Sequence, residues 1–265
     1  MPATPLNNEL IIAAAREVGD MALARWPGTA GAAELKVWAK ADVSPVCEID
    51  LAVDERLKAI LGELAPDAGW LSEETADDAA RLERRRMWCV DPIDGTRDYV
   101  RGRKGWCVSI ALIEDGWPRF GVLYAPARDE LWVAASGTGA TLNGEPVAAS
   151  TRRNFVGARV PAADLPKVDR DLTKVEQPNS IALRMAMVAD DRADIVATLR
   201  WGFEWDIAAA TLIAREAGAT VTDAFGNPLR FNTARAQAFG VIVSSPYIHE
   251  AAVERLSERA KAIVG

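Results

Sequence analysis

Met87-Trp88-Cys89-Val90-Asp91-Pro92-Ile93-Asp94-Gly95-Thr96 passes from an apolar run directly into two carboxylates and a hydroxyl. Residues 87–90 have the composition of a buried strand, and the Pro and Gly that follow predict a tight loop after it. Carboxylates three positions apart on such a loop converge on one point. Hard divalent cations such as Mg²⁺ take oxygen ligands of that kind, which makes the stretch a candidate metal-holding loop. Taken alone, Asp91 is equally well explained as ordinary turn chemistry.

The flanking sequence places this loop in an alternating α/β pattern. Upstream, residues 6–26 read as an amphipathic helix stopped by Pro27-Gly28, with a Gly/Ala-rich loop running to residue 33. Residues 50–64 read as a second helix, with Leu51, Val53, Leu57, Ile60, Leu61 and Leu64 on its apolar face. A short strand at 69–71 leads into Ser72-Glu73-Glu74, so two acidic clusters lie at strand ends, where α/β sheets place their ligands. Downstream, runs at 106–113, 119–124 and 130–135, separated by turns, predict an antiparallel meander. The segment 148–177 is polar and weakly periodic, which places a junction near residue 150 between a 1–150 α+β part and a 151–265 α/β part. Helices are expected at 179–189, 206–217 and 249–263, and strands near 219–222 and 240–243.

Composition narrows the function. At 265 residues and 49% hydrophobic content the chain can bury a full core. Its net charge of −7 disfavours a general nucleic-acid or anionic-membrane surface. Cys47, Cys89 and Cys107 are odd in number and lack CxxC spacing, which indicates reduced thiols in a cytoplasmic protein rather than a disulfide framework or zinc site. His249, the sole histidine, reads as a surface residue opening the last helix, which disfavours a histidine-based triad. No run approaches the ~18 apolar residues of a membrane span. Trp38 and Trp70 read as packing residues.

Four acidic clusters stand out: Asp50, Glu73-Glu74, Asp91 with Asp94, and Glu204-Trp205-Asp206. Each has an ordinary explanation. Asp50 and Asp206 suit helix N-caps, and Glu73-Glu74 suits the opening of a short helix. Together, however, Asp42-Val43-Ser44-Pro45-Val46 running on to Asp50, Leu71-Ser72-Glu73-Glu74, Asp91-Pro92-Ile93-Asp94-Gly95-Thr96, and Trp205-Asp206-Ile207-Ala208-Ala209 followed by Glu216-Ala217-Gly218 resemble the inositol monophosphatase family. These are Mg²⁺-dependent, lithium-inhibited phosphatases, and the resemblance covers nearly the whole chain.

The resemblance implies a layered αβαβα sandwich of the sugar-phosphatase type, with the site between two subdomains. It implies one Mg²⁺ on Glu73, Asp91 and the carbonyl of Ile93, a second on Asp91, Asp94 and Asp206, and a weaker third near Glu73. Asp50 and Thr96 would orient and deprotonate the attacking water, and the phosphate would rest on the N–H groups of Gly95 and Thr96. Two metals about 3.5–4 Å apart can activate water and stabilise the departing oxygen, so no histidine is required. A small phosphorylated metabolite is the expected partner, and a homodimer is the form such proteins commonly take.

Departures from the family pattern bear on substrate. Ser72 stands where Gly is common and Cys47 where Thr is common, and neither removes an expected ligand. Seven positions before Asp206, where animal inositol monophosphatases carry a glutamate that contacts inositol hydroxyls, stands Leu199. Glu204-Trp205-Asp206 and Thr96-Arg97-Asp98-Tyr99-Val100-Arg101-Gly102 look more like the 3'(2'),5'-bisphosphate nucleotidase branch. Arg97, Arg101, Arg184 and Arg200 are candidates to pair with a second phosphate, with Arg184 and Arg200 the leading pair; each is also explained as a solvated surface arginine. Tyr99, Trp106 and Trp201 are candidates to stack on a base, or else core and rim residues. The expected reaction is hydrolysis of such a bisphosphate nucleotide to the 5'-monophosphate. Inositol 1-phosphate, sugar phosphate and histidinol phosphate hydrolysis are the alternatives, and a regulatory binding role on the same scaffold is the non-enzymatic one.

Overall fold

The structure, a computed structural model, describes residues 7–28, 34–40 and 45–265. Helix α1 (Asn8–Arg25) starts where the Asn7 side chain accepts from the Glu9 N–H at 3.0 Å, and it buries the stripe Ile11, Ala14, Ala15, Val18 and Ala22. The short strands β1 (Val37–Ala39) and β2 (Pro45–Cys47) form an antiparallel pair that delivers the chain into α2 (Glu48–Leu64). The Asp42-Val43-Ser44 part of the first motif and most of the Gly/Ala-rich loop lie outside the described residues. Leu51, placed on the apolar face of α2 by pattern, is exposed, whereas Val53, Leu57 and Leu61 are fully buried.

Strand β3 (Gly69–Ser72) pairs in parallel with β4 (Arg86–Asp94), and the short helix α3 (Thr96–Val100) follows. The chain then meanders through β5 (Cys107–Glu114), β6 (Trp117–Ala125), β7 (Glu130–Ala135), β8 (Ala140–Leu142) and β9 (Glu145–Val147). These strands make one sheet in the order β3-β4-β5-β6-β7-β8-β9, antiparallel from β4 onward. The expected meander is therefore present, with β6 longer at both ends and β7 at its expected bounds. The acidic stretch differs from expectation: β4 runs on through Asp91 to Asp94, and its register with β5 slips between those two residues. Pro92 has no N–H to give a regular ladder, so an irregularity at this position is what its chemistry favours.

A two-stranded parallel pair, β10 (Arg159–Pro161) and β11 (Thr173–Val175), precedes α4 (Ile181–Ala189). Next come β12 (Ile195–Phe203), α5 (Glu204–Glu216), β13 (Thr220–Thr222), β14 (Gln237–Ser244) and α6 (His249–Val264). The second sheet has the order β12-β14-β13 and is antiparallel. Strand β12 escaped sequence reading because its C-terminal half is half-buried or exposed and carries Arg200 and Gly202.

Alternate residues of β4 sort the layers. Trp88 and Val90 pack under α1 and α2 on one face of the large sheet, while Met87 and Cys89 join the core formed with α4 and α5 on the other. Val221, Val241 and Val243 of the small sheet close that second core, and Ile242 with Ile195 packs beneath Ala252 and Leu256 of α6. The order helix, sheet, helix, sheet, helix is the expected αβαβα sandwich. The Ala208-Ala209-Ala210 run lets α5 lie close on the large sheet: a Cβ on Gly121 of β6 would meet the Ala209 carbonyl at 2.9 Å.

Several side chains depart from the sequence reading. His249 is buried, hydrogen-bonded to Ser244 Oγ at 2.9 Å and Thr222 Oγ1 at 3.0 Å, and burial lowers its pKa; it fastens α6 to the small sheet. Of the two roles open to Tyr99 and Trp106 the structure gives them the core one: they are buried in edge-to-face contact, so neither is free to stack on a ligand. Trp38 lies on the exposed β1 instead of packing inside. Among the described residues no helix is long and apolar enough to cross a membrane.

One buried charge ties the second half together. Asp194, 1% exposed, accepts from Ser150 Oγ at 2.5 Å, from the Arg159 N–H at 2.7 Å and from the Arg159 guanidinium at 2.7 and 3.0 Å. Burial pushes its carboxyl up, but Arg159 and Ser150 outweigh that and hold it down at about 2. The unfolded chain, with an ordinary aspartate, takes up a proton first as the pH falls, so this stabilisation is present above about pH 4 and is lost on falling through about pH 2. Asp194→Asn is expected to lower stability at pH 7 by about 2 kcal/mol in urea unfolding, and the gap from the wild type is expected to close between about pH 4 and pH 2.

Candidate active site

The acidic clusters meet where β3, β4, α2, α4 and α5 end or begin, around a cavity of about 340 Å³ whose lining includes Glu73, Asp91, Asp94, Thr96 and Asp206. One oxygen from each of Glu73, Asp91 and Asp206 lies within 4.8 Å of the other two. Asp91 is 1% exposed, and Oδ1 accepts from the Ile93 N–H at 3.0 Å. Desolvation pushes the Asp91 and Asp206 carboxyls well above the usual range, and their charged neighbours, Glu73 and Asp94 among them, push them further. Such a group is unfavourable when ionised and uncompensated. An oxygen-coordinated divalent cation supplies the compensation, so the donor set fits a hard metal ion.

Asp94 lines the same cavity but stands apart from the closest trio. Its Oδ2 is taken by Ser180 Oγ at 2.5 Å and the Ala182 N–H at 2.8 Å, so it also caps the start of α4. Burial lifts its carboxyl to about 6 against the pull of those donors. The Ile93 carbonyl lies 3.0 Å from Thr96 Oγ1, which in turn lies 3.1 Å from Asp50 Oδ1. Burial raises Asp50 to about 6. Gly95 turns the chain from β4 into α3 at φ 97°, and a Cβ there would meet the Gly105 carbonyl at 2.5 Å, so only glycine fits.

The structure corrects the N-cap reading of two of these carboxylates. Asp50 and Asp206 each sit at the third position of their helix, where Asp50 Oδ2 accepts from the Cys47 N–H at 2.8 Å and Asp206 Oδ2 from the Phe203 N–H at 3.4 Å. A carboxylate at that position folds back on the first orphan donor and keeps its second oxygen free for other work. Glu204 leaves the acidic group altogether. It is buried and accepts from the Asn232 N–H at 2.7 Å, the Thr233 N–H at 2.9 Å and Thr233 Oγ1 at 2.5 Å.

Other residues support the site without announcing themselves in the sequence. The Ser72 and Thr75 hydroxyls both donate to Asp54, which pins the turn carrying Glu73 and Glu74 to α2. Lys40 reaches Glu73 at 2.8 Å and Glu74 at 2.6 Å. Burial still lifts Glu74 to about 7. Arg81, 2% exposed, bonds Asp77, Asn232 and the Thr233 carbonyl, and so joins the Glu73 side of the site to the Glu204 loop that backs Asp206. Ser72 replacing a common Gly was the one local signal; the other partners are separated too far in sequence to be paired by spacing.

The four arginines divide. Arg97, Arg184 and Arg200 line the acidic cavity, whereas Arg101 lines only a neighbouring one of about 380 Å³, with Arg103, Lys104, Glu176 and again Arg184. Arg184 is anchored on the Asn179 carbonyl at 2.7 Å, and desolvation lowers its pKa. Leu199 packs in the apolar clusters beneath α6, so the residue of β12 next to it, Arg200, is the one at the cavity.

The model of the inositol monophosphatase family matches residues 7–261. The protein is a phosphomonoesterase. It belongs to the inositol monophosphatase family. It is similar to the fructose-1,6-bisphosphatase/inositol-1-monophosphatase of Thermotoga maritima, with 31% identity over 94% of this chain and 95% of that protein. It is also similar to the Nus factor SuhB of Xylella fastidiosa, 35% identical over 71% of this chain and 72% of that one, and to the histidinol-phosphatase of Mycobacterium tuberculosis, 33% identical over 74% and 80%. Among solved structures, an IMPase of Thermotoga maritima superposes with a TM-score of 0.82 at 28% identity, covering 97% of this chain and 98% of the other.

Protons and cations compete for the raised carboxylates, so filling the site releases protons where those carboxyls are partly protonated. Calorimetric titration with Mg²⁺ at pH 6 is expected to give a heat that changes with the ionisation enthalpy of the buffer, less so at pH 8. In Asp91→Asn the binding itself is expected to weaken at least tenfold. Equal heats in all buffers at pH 6 count against this charge assignment.

Proposed function

We propose that the cleft hydrolyses a 3'(2'),5'-bisphosphate nucleotide to the 5'-monophosphate, with two or three Mg²⁺ ions held by Glu73, Asp91, Asp94, Asp206 and the Ile93 carbonyl. Bound there, Mg²⁺ supplies the positive charge that stabilises the attacking and departing oxygens of an in-line displacement. The protein's own groups do the rest. Asp50 and Thr96, 3.1 Å apart, orient the attacking water, and Asp50 takes its proton, with Glu73 beside them. The N–H groups of Gly95 and Thr96 hold the phosphate being cleaved. Arg184 and Arg200 receive the second phosphate through charge-assisted hydrogen bonds.

The observation that carries the substrate choice is the sorting along β12: Arg200 lines the acidic cavity with Arg184, while Leu199 is packed away from it. A ligand with two separated phosphates uses both the carboxylate end and the guanidinium end of that cavity. The names of the relatives support inositol 1-phosphate, fructose bisphosphate and histidinol phosphate as alternatives, since all present the same phosphate end. Similarity to a Nus factor supports a regulatory role on this scaffold, against which stands the complete carboxylate set. We further propose that residues 1–150 and 151–265 are subdomains forming the two walls of the cleft, and that the protein acts as a homodimer.

Phosphate release from 3'-phosphoadenosine 5'-phosphate, inositol 1-phosphate, fructose 1,6-bisphosphate and histidinol phosphate, with and without Mg²⁺ and Li⁺, tests the reading. The nucleotide is expected to be preferred, with lithium inhibiting. Replacing Arg184 and Arg200 together by Ala is expected to raise its KM at least tenfold and to leave inositol 1-phosphate comparatively unaffected. Asp91→Asn is expected to lower kcat by roughly 10³-fold or more on every substrate. Preference for inositol 1-phosphate, or equal losses on both substrates in the arginine variant, overturns the nucleotide assignment.

A further inference from the structure

We propose that Phe203 is a stacking platform for a planar ring carried by the leaving group of the substrate. Phe203 ends β12 immediately before α5, and its ring lies parallel to that of Trp205, with centroids 4.4 Å apart and planes 6° from coplanar. Trp205 is packed against the central core, so the pair is a rigid two-ring stack anchored at one end. The other end is open: Phe203 is 37% exposed, and it lines the same cavity as Asp206 and Arg200.

A phenyl ring exposed in a cleft whose lining includes four carboxylates and three guanidinium groups, beside Pro45, Ile181 and Trp205, has no polar task there. What it offers is a flat apolar face. Its backbone N–H is fixed by Asp206 at 3.4 Å, which holds the ring at a set position relative to the carboxylate group. The rest of β12 shows that the outward aromatics of this strand are not equivalent. Trp201 packs edge-to-face on Phe239, which stacks with Phe225, and none of these three lines the acidic cavity. Phe203 is thus the exposed aromatic of this strand that faces the chemistry. A heteroaromatic base stacks on such a face whatever its hydrogen-bonding edge, whereas a polyol such as inositol or glycerol gains little from it.

The inference rests on the reading of the cleft as the phosphate-ester site, and the test separates the two. Adenosine 3'-monophosphate and glycerol 2-phosphate both present a phosphate on a secondary alcohol, and only the first carries an aromatic base, on its ribose. In Phe203→Ala the ratio of kcat/KM for the adenosine ester to that for the glycerol ester is expected to fall about tenfold, as loss of one aromatic stacking contact gives. Phe203→Leu is expected to fall similarly and Phe203→Trp to restore the ratio. Calorimetric binding of adenosine 3'-monophosphate, which needs no turnover, is expected to weaken by the same factor in Phe203→Ala. An unchanged ratio with unchanged binding overturns the platform, as does an equal fall on both esters, the result of a ring that merely braces Asp206. A wild type that binds the adenosine ester and hydrolyses no phosphate ester overturns the phosphatase reading instead, and the loss or retention of binding in Phe203→Ala then judges the platform on its own.

Discussion

Three carboxylates held within 4.8 Å of one another are the constraint around which this molecule is arranged. Glu73, Asp91 and Asp206 come from the end of β3, the end of β4 and the start of α5, and water is largely withdrawn from Asp91. Like charges at that separation oppose ionisation and oppose folding unless a cation joins them. A scaffold that still brings them together needs rigid elements behind each one, and both sheets and the helices between them serve that need.

The same local device appears twice. Asp50 and Asp206 occupy the third residue of α2 and α5, each folding one oxygen back onto the backbone N–H three residues earlier. This fixes the side chain through the helix start itself and leaves the other oxygen for the cleft. Asp94 achieves the reverse, since it belongs to a strand and caps a different helix through Ser180 and Ala182. Around these, Asp54 fastens the Glu73 turn, and Arg81 with Glu204 ties that side of the site to the loop behind Asp206. The acidic cleft is therefore continuous with the packing that makes the domain.

The family resemblance and the site geometry agree on chemistry and are separate on substrate. The relatives this chain is similar to have names that span inositol, fructose and histidinol phosphates. At the same cavity lie the guanidinium groups of Arg184 and Arg200 and the ring of Phe203. Specificity in such a site is a matter of which leaving group can use the whole cavity, since every substrate uses the phosphate end.

The sequence alone determined the antiparallel meander, through turn chemistry and periodicity that a few adjacent residues encode, and the family, through four spaced motifs whose resemblance implied the five-layer fold. It misplaced His249 at the surface, left Tyr99 and Trp106 open between core and ligand roles, and grouped Glu204 with the acidic site. It passed over Lys40, Ser180 and the Arg81 bridge to Asn232, whose partners lie 151 residues apart. These were decided only by the tertiary structure. Two chemically identical side chains differ in role according to which face of a strand meets a helix and which meets the cleft, and that depends on packing partners remote in the chain. Periodicity carries the face a residue takes within its own element; desolvation and charge are set by what the fold brings up against it.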